Sequence, residues 1–289
     1  MNSAACGDGF AVTFHGVRGS TPCHSPELVR YGGNTSCVSL DIDGAPPILF
    51  DLGTGLRYFG NTLDADAPFI GTCLLSHLHW DHIQGLPFFA PLLREGSRIT
   101  MHGPVQVDGE TLESVFTDTI RPPLFPVDLS VLPGVVDFVE CWESQFTIEA
   151  STPVEVLSRP IPHVGNTLGY RVTAHGRSVA YLSDHQMPVD GSMRTSAGAR
   201  ELCRGADLVI HDAQYTPSEF ARKSDWGHCT IEYAVWVAAE SGAKRLALFH
   251  HDPSHDDDTL DRLAAAATAC GRDVGVEVFA AREGETIEL

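Results

Sequence analysis

Ten residues constrain this chain more than anything else in it: SHLHWDHIQG at Ser76–Gly85, directly after the apolar run Ile70–Leu75. Such a run predicts a buried strand. The strand delivers His77, His79, Asp81 and His82 at its end. His77 and His79 stand two apart, so on an extended segment they face the same side and can reach one cation together. Asp81 and His82 follow where the chain turns, and can point to a second cation beside the first. Imidazole and carboxylate ligands together suit zinc, manganese or iron. Packing is a poor reason for four such groups at the end of a buried strand, because buried polar groups need partners.

Further donors end later apolar runs. His163 follows a break at Pro160 and Pro162, Asp184 follows Tyr181–Ser183, and His250 follows Leu246–Phe249. The adjacent His251 is expected to be structural. Seven candidates are too many for one tetrahedral ion. His228 and Asp212 form a second constellation, the histidine before an expected helix and the aspartate at the end of a short strand. A carboxylate there would hold the imidazole tautomer and raise its pKa. Gly53 and Gly55 after Asp51 suggest a turn near the cations. They do not form a P-loop, because no GKS or GKT follows. Asn34 can order this loop. Arg18 is expected to meet either an anion or an acidic side chain.

Elsewhere strands alternate with a few helices. Strands are expected at Phe10–His15, Ser36–Ile42, Pro47–Phe50, Val135–Val139, Phe146–Ala150, Val154–Arg159, Gly169–Ala174, Ser178–Leu182, Leu208–His211, Arg245–Phe249 and Val274–Ala280. Helices are expected at Asp81–Leu93, Thr111–Phe116, Ile231–Ser241 and Asp257–Cys270. The proline-rich stretch Arg121–Gly134 should be irregular and superficial. The eight cysteines, Cys6 among them, contain no CxxC, and the first residues lack a secretory pattern. No run approaches a membrane span. A reducing cytoplasm is expected, without a membrane partner. Acidic residues number 38 against 19 basic ones, a formal charge of −19. That balance argues against nucleic acid as a partner.

SHLHWDHIQG matches the HxHxDH signature of the metallo-β-lactamase fold. GVRGSTP at 16–22, YGGNTSC at 31–37, DLGTG at 51–55, MHGP at 101–104, YLSD at 181–184, HDAQYT at 211–216, WGHCT at 226–230 and LFHHDPSHDD at 248–257 resemble its phosphodiesterase and tRNA 3′-processing endonuclease branch. The resemblance covers nearly the whole chain. It implies an α/β fold, a four-layer αβ/βα sandwich, in one hydrolase domain over 1–289. It also implies two divalent metal ions, zinc before manganese. His77, His79 and His163 resemble the ligands of one, Asp81, His82 and His250 those of the other, and Asp184 the bridge between them. Asp81 would orient the nucleophilic hydroxide, with His228 and Asp212 facing the scissile phosphate. Family endonucleases usually carry glutamate where this chain has Asp212. The branch also implies a homodimer. The leading expectation is a dinuclear metal-dependent phosphodiesterase for a small anionic phosphodiester such as a cyclic nucleotide. Three alternatives stand beside it: a tRNA 3′-processing endonuclease, for which no basic arm of convincing size is visible, a lactone or other ester hydrolase, and a non-catalytic interaction protein.

Overall fold

The computed structural model describes residues 7–107 and 109–289; Cys6 lies outside them. The strands are β1 (Phe10–Gly16), β2 (Cys37–Ile42), β3 (Ile48–Phe50), β4 (Ile70–Leu74), β5 (Arg98–Pro104), β6 (Val135–Cys141), β7 (Gln145–Ile148), β8 (Val154–Pro160), β9 (Leu168–Ala174), β10 (Arg177–Leu182), β11 (Leu208–Asp212), β12 (Arg245–Phe249), β13 (Glu277–Ala280) and β14 (Thr286–Glu288). The α-helices are α1 (Leu56–Thr62), α2 (Trp80–Ile83), α3 (Leu112–Thr119), α4 (Ala197–Cys203), α5 (Pro217–Lys223), α6 (Ile231–Glu240) and α7 (Asp257–Val274).

Two sheets result, in the orders β14-β1-β2-β3-β4-β5-β6 and β13-β12-β11-β10-β9-β8-β7. Each combines three antiparallel pairings with three parallel ones; the parallel strands are β3 to β6 in the first and β10 to β13 in the second. Parallel strands covered on both faces read as unbroken apolar runs, and β3, β11 and most of β10 and β12 are fully buried. By contrast β8 alternates at first, with Val154 and Val156 turned inward. Phe14, Phe50, Tyr170, Tyr181 and Phe249 fill the space between the sheets. The Phe50 and Tyr181 rings stack across it at 4.5 Å. Residues of α4, α6 and α7 pack on the outer face of the second sheet, and those of α1 and α3 on that of the first. This is the expected αβ/βα sandwich.

Local chemistry sets the element ends. Asp256 caps α7 by accepting from the Thr259 amide, and Gly275, at φ +77°, stops it. The last long strand therefore begins at Glu277; Val274, expected in it, closes the helix. The helix expected over Asp81–Leu93 is shorter: α2 ends at Ile83, and 3₁₀ turns at Leu86–Phe88 and Ala90–Leu93 follow, each with a proline in its first positions. The expected list lacked α1, α4, α5, β5 and β14. Among the described residues no helix is long and apolar enough to cross a membrane.

Parallel strands collect their carboxyl ends on one side, where loops leave the sheet and ligands bind. Asp51 follows β3, Ser76 and His77 follow β4, Asp184 follows β10, Asp212 ends β11 and His250 follows β12. The two sheets thus deliver their polar residues to a shared rim.

Candidate metal centre

Two groups of donors meet at this rim. Ligand-capable atoms of His77, His79, His163 and Asp184 lie within 4.8 Å of one another, and so do those of Asp81, His82 and His250. Asp184 stands between the groups. Its Oδ2 is 3.7 Å from His77 Nε2 and 3.6 Å from His163 Nε2. Its Oδ1 is 3.1 Å from His82 Nε2 and 3.3 Å from His250 Nε2. One carboxylate therefore offers one oxygen to each group, the placement a bridging ligand needs.

Hydrogen bonds fix which imidazole nitrogens face inward. His163 Nδ1 donates to the Gly227 carbonyl (2.7 Å), His82 Nδ1 to Asp51 (2.7 Å) and His250 Nδ1 to Gln214 Oε1 (3.0 Å). His77 Nδ1 lies 3.0 Å from Ser76 Oγ, which itself donates to Asp51. With Nδ1 protonated, each Nε2 presents a lone pair to the centre. Lone pairs facing lone pairs call for positive charge between them, whether protons or a cation. His77 Nε2, His82 Nε2 and Asp184 Oδ1 are buried with no hydrogen-bond partner among the described residues, and His79 Nδ1 faces His163 Nε2 at 3.2 Å. Divalent cations in the two groups would satisfy these atoms, so the donor set fits a metal pair.

The electrostatics agree. Burial and neighbouring imidazoles push the His77 pKa well below its ordinary value. Burial opposes charge on His82 as well, but Asp81, Asp184 and Asp51 outweigh it and raise its pKa well above the ordinary value. Against burial, the adjacent histidines hold the Asp81 and Asp184 carboxyls far below the usual carboxylate range. Ionised carboxylates beside imidazole lone pairs are the environment a cation seeks.

Asp51 has a larger part here than the turn expected around it. Its carboxylate accepts from the Ser76 amide (2.7 Å), Ser76 Oγ (2.8 Å), Tyr181 Oη (2.7 Å) and His82 Nδ1. It anchors the histidine loop from below, at φ +57°; His250 likewise sits at φ +58°. Such conformations cost on the order of 1–3 kcal/mol each in a non-glycine residue. They fall where a strand must aim one side chain into the centre. Gly53 and Gly85 let the two loops touch: a Cβ on Gly53 would lie 2.4 Å from the Asp81 carbonyl oxygen, and one on Gly85 2.0 Å from that of Gly53. The signal missed in the sequence was a lone aspartate ending an apolar strand, the same pattern that marked Asp184 and Asp212. Replacing Asp51 by Asn is expected to weaken metal binding by about 10–100-fold, the usual effect of losing a group that orients a ligand. Competition against a chromophoric chelator measures it. Unchanged affinity in a folded variant would remove this role.

His228 sits beside both groups. Its Nδ1 donates to Asp212 Oδ2 at 2.7 Å, while Asp212 also accepts from the Gln214 amide at 3.0 Å. Burial opposes the His228 charge, yet Asp212, Asp184 and Asp81 raise its pKa above the ordinary value. It lines an open cleft with His79, Asp81, Asp184 and His250. It is also near enough to Asp184 and His250 to form a third donor group, but its Nδ1 is taken by Asp212. His251 points away, with Nε2 3.0 Å from the Ala281 carbonyl oxygen. Arg18 donates from its guanidinium to the carbonyls of Gly32, Asp252 and His255, and pairs with no carboxylate among the described residues. Asn34 does order its loop, with Nδ2 donating to Glu283 at 2.9 Å.

Residues 47–251 match the family model described as a beta-lactamase superfamily domain. The chain is 24% identical to the ribonuclease Z of Natronomonas pharaonis, covering 96% of itself and 97% of that protein. Among solved structures it is similar to human tRNase Z, short form (24% identity, TM-score 0.65, 96% of this chain and 98% of that one). It is also similar to a diphosphatase of the PhnP family (18% identity, TM-score 0.69, 97% and 98%). The likeness to ribonuclease Z corrects the expectation that the acidic balance argues against nucleic acid. Net charge averages over a whole surface, whereas a phosphate is bound by the local field, which bound cations can invert.

Proposed function

Because the chain belongs to the metallo-β-lactamase superfamily, we propose that it is a two-metal phosphodiesterase whose substrate is RNA, with processing of precursor tRNA at its 3′ side as the activity. The observation that carries the chemistry is a carboxylate-held imidazole, His228 on Asp212, opening on the same cleft as two groups of metal donors. Similarity to ribonuclease Z along nearly the full length of both chains supports the choice of substrate.

In this reading His77, His79 and His163 would hold one cation, Asp81, His82 and His250 the other, and Asp184 would serve both. Two divalent ions so held would supply Lewis-acid stabilisation of phosphoryl charge and lower the pKa of water. Asp81, fixed by the Ser20 amide at 2.8 Å, orients the attacking water. Hydrolysis adds the water oxygen to phosphorus and breaks the bond to the leaving alcohol. His228, held by Asp212, would give its proton to that alcohol and recover one from the water. Asp212 steadies the tautomer and the charge.

A substrate panel on the metal-loaded protein tests the reading: precursor tRNA with a 3′ trailer, a cyclic mononucleotide, bis(p-nitrophenyl) phosphate and a lactone. Endonucleolytic cleavage of the precursor should exceed the other reactions in kcat/KM by at least about 10²-fold. Lactone turnover above that of every phosphodiester would overturn it.

A further inference from the structure

Beside the metal cleft lies a second cavity, of about 450 Å³, that the proposed chemistry leaves unused. Trp80 lines both. This tryptophan stands in sequence between His79 and Asp81, yet it is 60% exposed, as is Phe88 across the cavity. Tyr58 and Leu124 add apolar surface, and Gln84 and Arg57 supply polar groups. Exposed aromatic rings around a concave, mostly apolar space mark a binding site for a flat apolar group.

Arg57 narrows the choice. Some surface arginines, such as Arg30, Arg98 and Arg159, are paired with a carboxylate. Arg200, Arg222 and Arg272 are exposed without one among the described residues, so what distinguishes Arg57 is its place at this cavity. Arg57, exposed at this cavity, has neither a carboxylate nor a carbonyl partner among the described residues. In a chain with twice as many acidic as basic residues, an uncommitted guanidinium beside a ring of aromatic side chains suits a ligand both aromatic and anionic. A nucleotide is such a ligand: bases stack on aromatic faces in single-strand sites, and arginine takes the phosphate.

We propose that this cavity receives the nucleobase of the nucleotide flanking the scissile phosphate, with Arg57 on the phosphate beyond it. The inference rests on the phosphodiesterase reading and sharpens it. The substrate then extends at least one nucleotide past the bond that is cleaved, as a single-stranded RNA segment does and a cyclic mononucleotide does not.

The test uses metal-loaded protein with Phe88→Ala and Arg57→Gln. KM is measured on a short single-stranded oligoribonucleotide and on bis(p-nitrophenyl) phosphate. Each variant should raise KM for the oligoribonucleotide by about tenfold more than for the small diester, and Arg57→Lys should recover most of the arginine effect. Quenching of tryptophan fluorescence by a phosphorothioate oligoribonucleotide gives binding without turnover, and Phe88→Ala should weaken it to the same degree. Equal KM changes on both substrates, with turnover intact, would overturn the base site alone. So would a concentration-dependent dimer that Phe88→Ala dissociates, since a second copy would then cover the cavity. Absence of turnover on both substrates with quenching intact would overturn the phosphodiesterase reading and leave the base site standing.

Discussion

Asp184→Asn should lower turnover by at least about 10²-fold and weaken binding of the metal pair. The substitution keeps the size and shape of the side chain and removes its charge. It also replaces one oxygen by an amino group, which offers a cation no lone pair. The two oxygens of Asp184 face opposite donor groups, Oδ2 toward His77 and His163 and Oδ1 toward His82 and His250. Either orientation of the amide therefore spoils one half of the centre. The site is buried, so water does not make good the lost charge. Metal analysis beside kinetics, with circular dichroism to confirm the fold, separates this from general damage. Near-normal turnover with two metals bound would remove Asp184 from the bridge.

His228→Ala has a different signature. Its Nδ1 is committed to Asp212, so its loss should leave both metals in place. Turnover should fall by about 10²–10⁴-fold on a substrate whose leaving alcohol needs a proton. The fall should be smaller when the leaving group is p-nitrophenolate, which departs with little help. Asp212→Asn should follow the same pattern more weakly, because it acts through the imidazole. Equal losses on both leaving groups would sink the proton-donor role and leave charge stabilisation. Loss of a metal would place His228 among the ligands, as its proximity to Asp184 and His250 allows.

What the sequence made legible was the chemistry at strand ends. An apolar run that stops at His77, Asp184 or His250 states both the strand and the polar duty that follows it, because burial tolerates such residues only with partners. The resemblance pointed to His250 over His251, but why that ring turns inward was not legible in the sequence. The inward turn depends on the left-handed backbone at His250, which sends the next ring toward Ala281. Asp51 hid for another reason. Its partners are Ser76, Tyr181 and His82, one of them 130 positions away, and only the packing of the two sheets brings them together. The short helices α1, α4 and α5 span seven residues each, too few for a helical period to emerge from one sequence. Charge misled most. A total of −19 describes the surface at large and says nothing of an arginine left unpaired beside an aromatic cavity.

Counting bound metals is the most direct test for a pair of them on one chain. Protein purified without chelator, reconstituted with excess zinc and freed of unbound ion, should carry two equivalents per chain by elemental analysis. A reproducible value of one would contradict the two-metal centre.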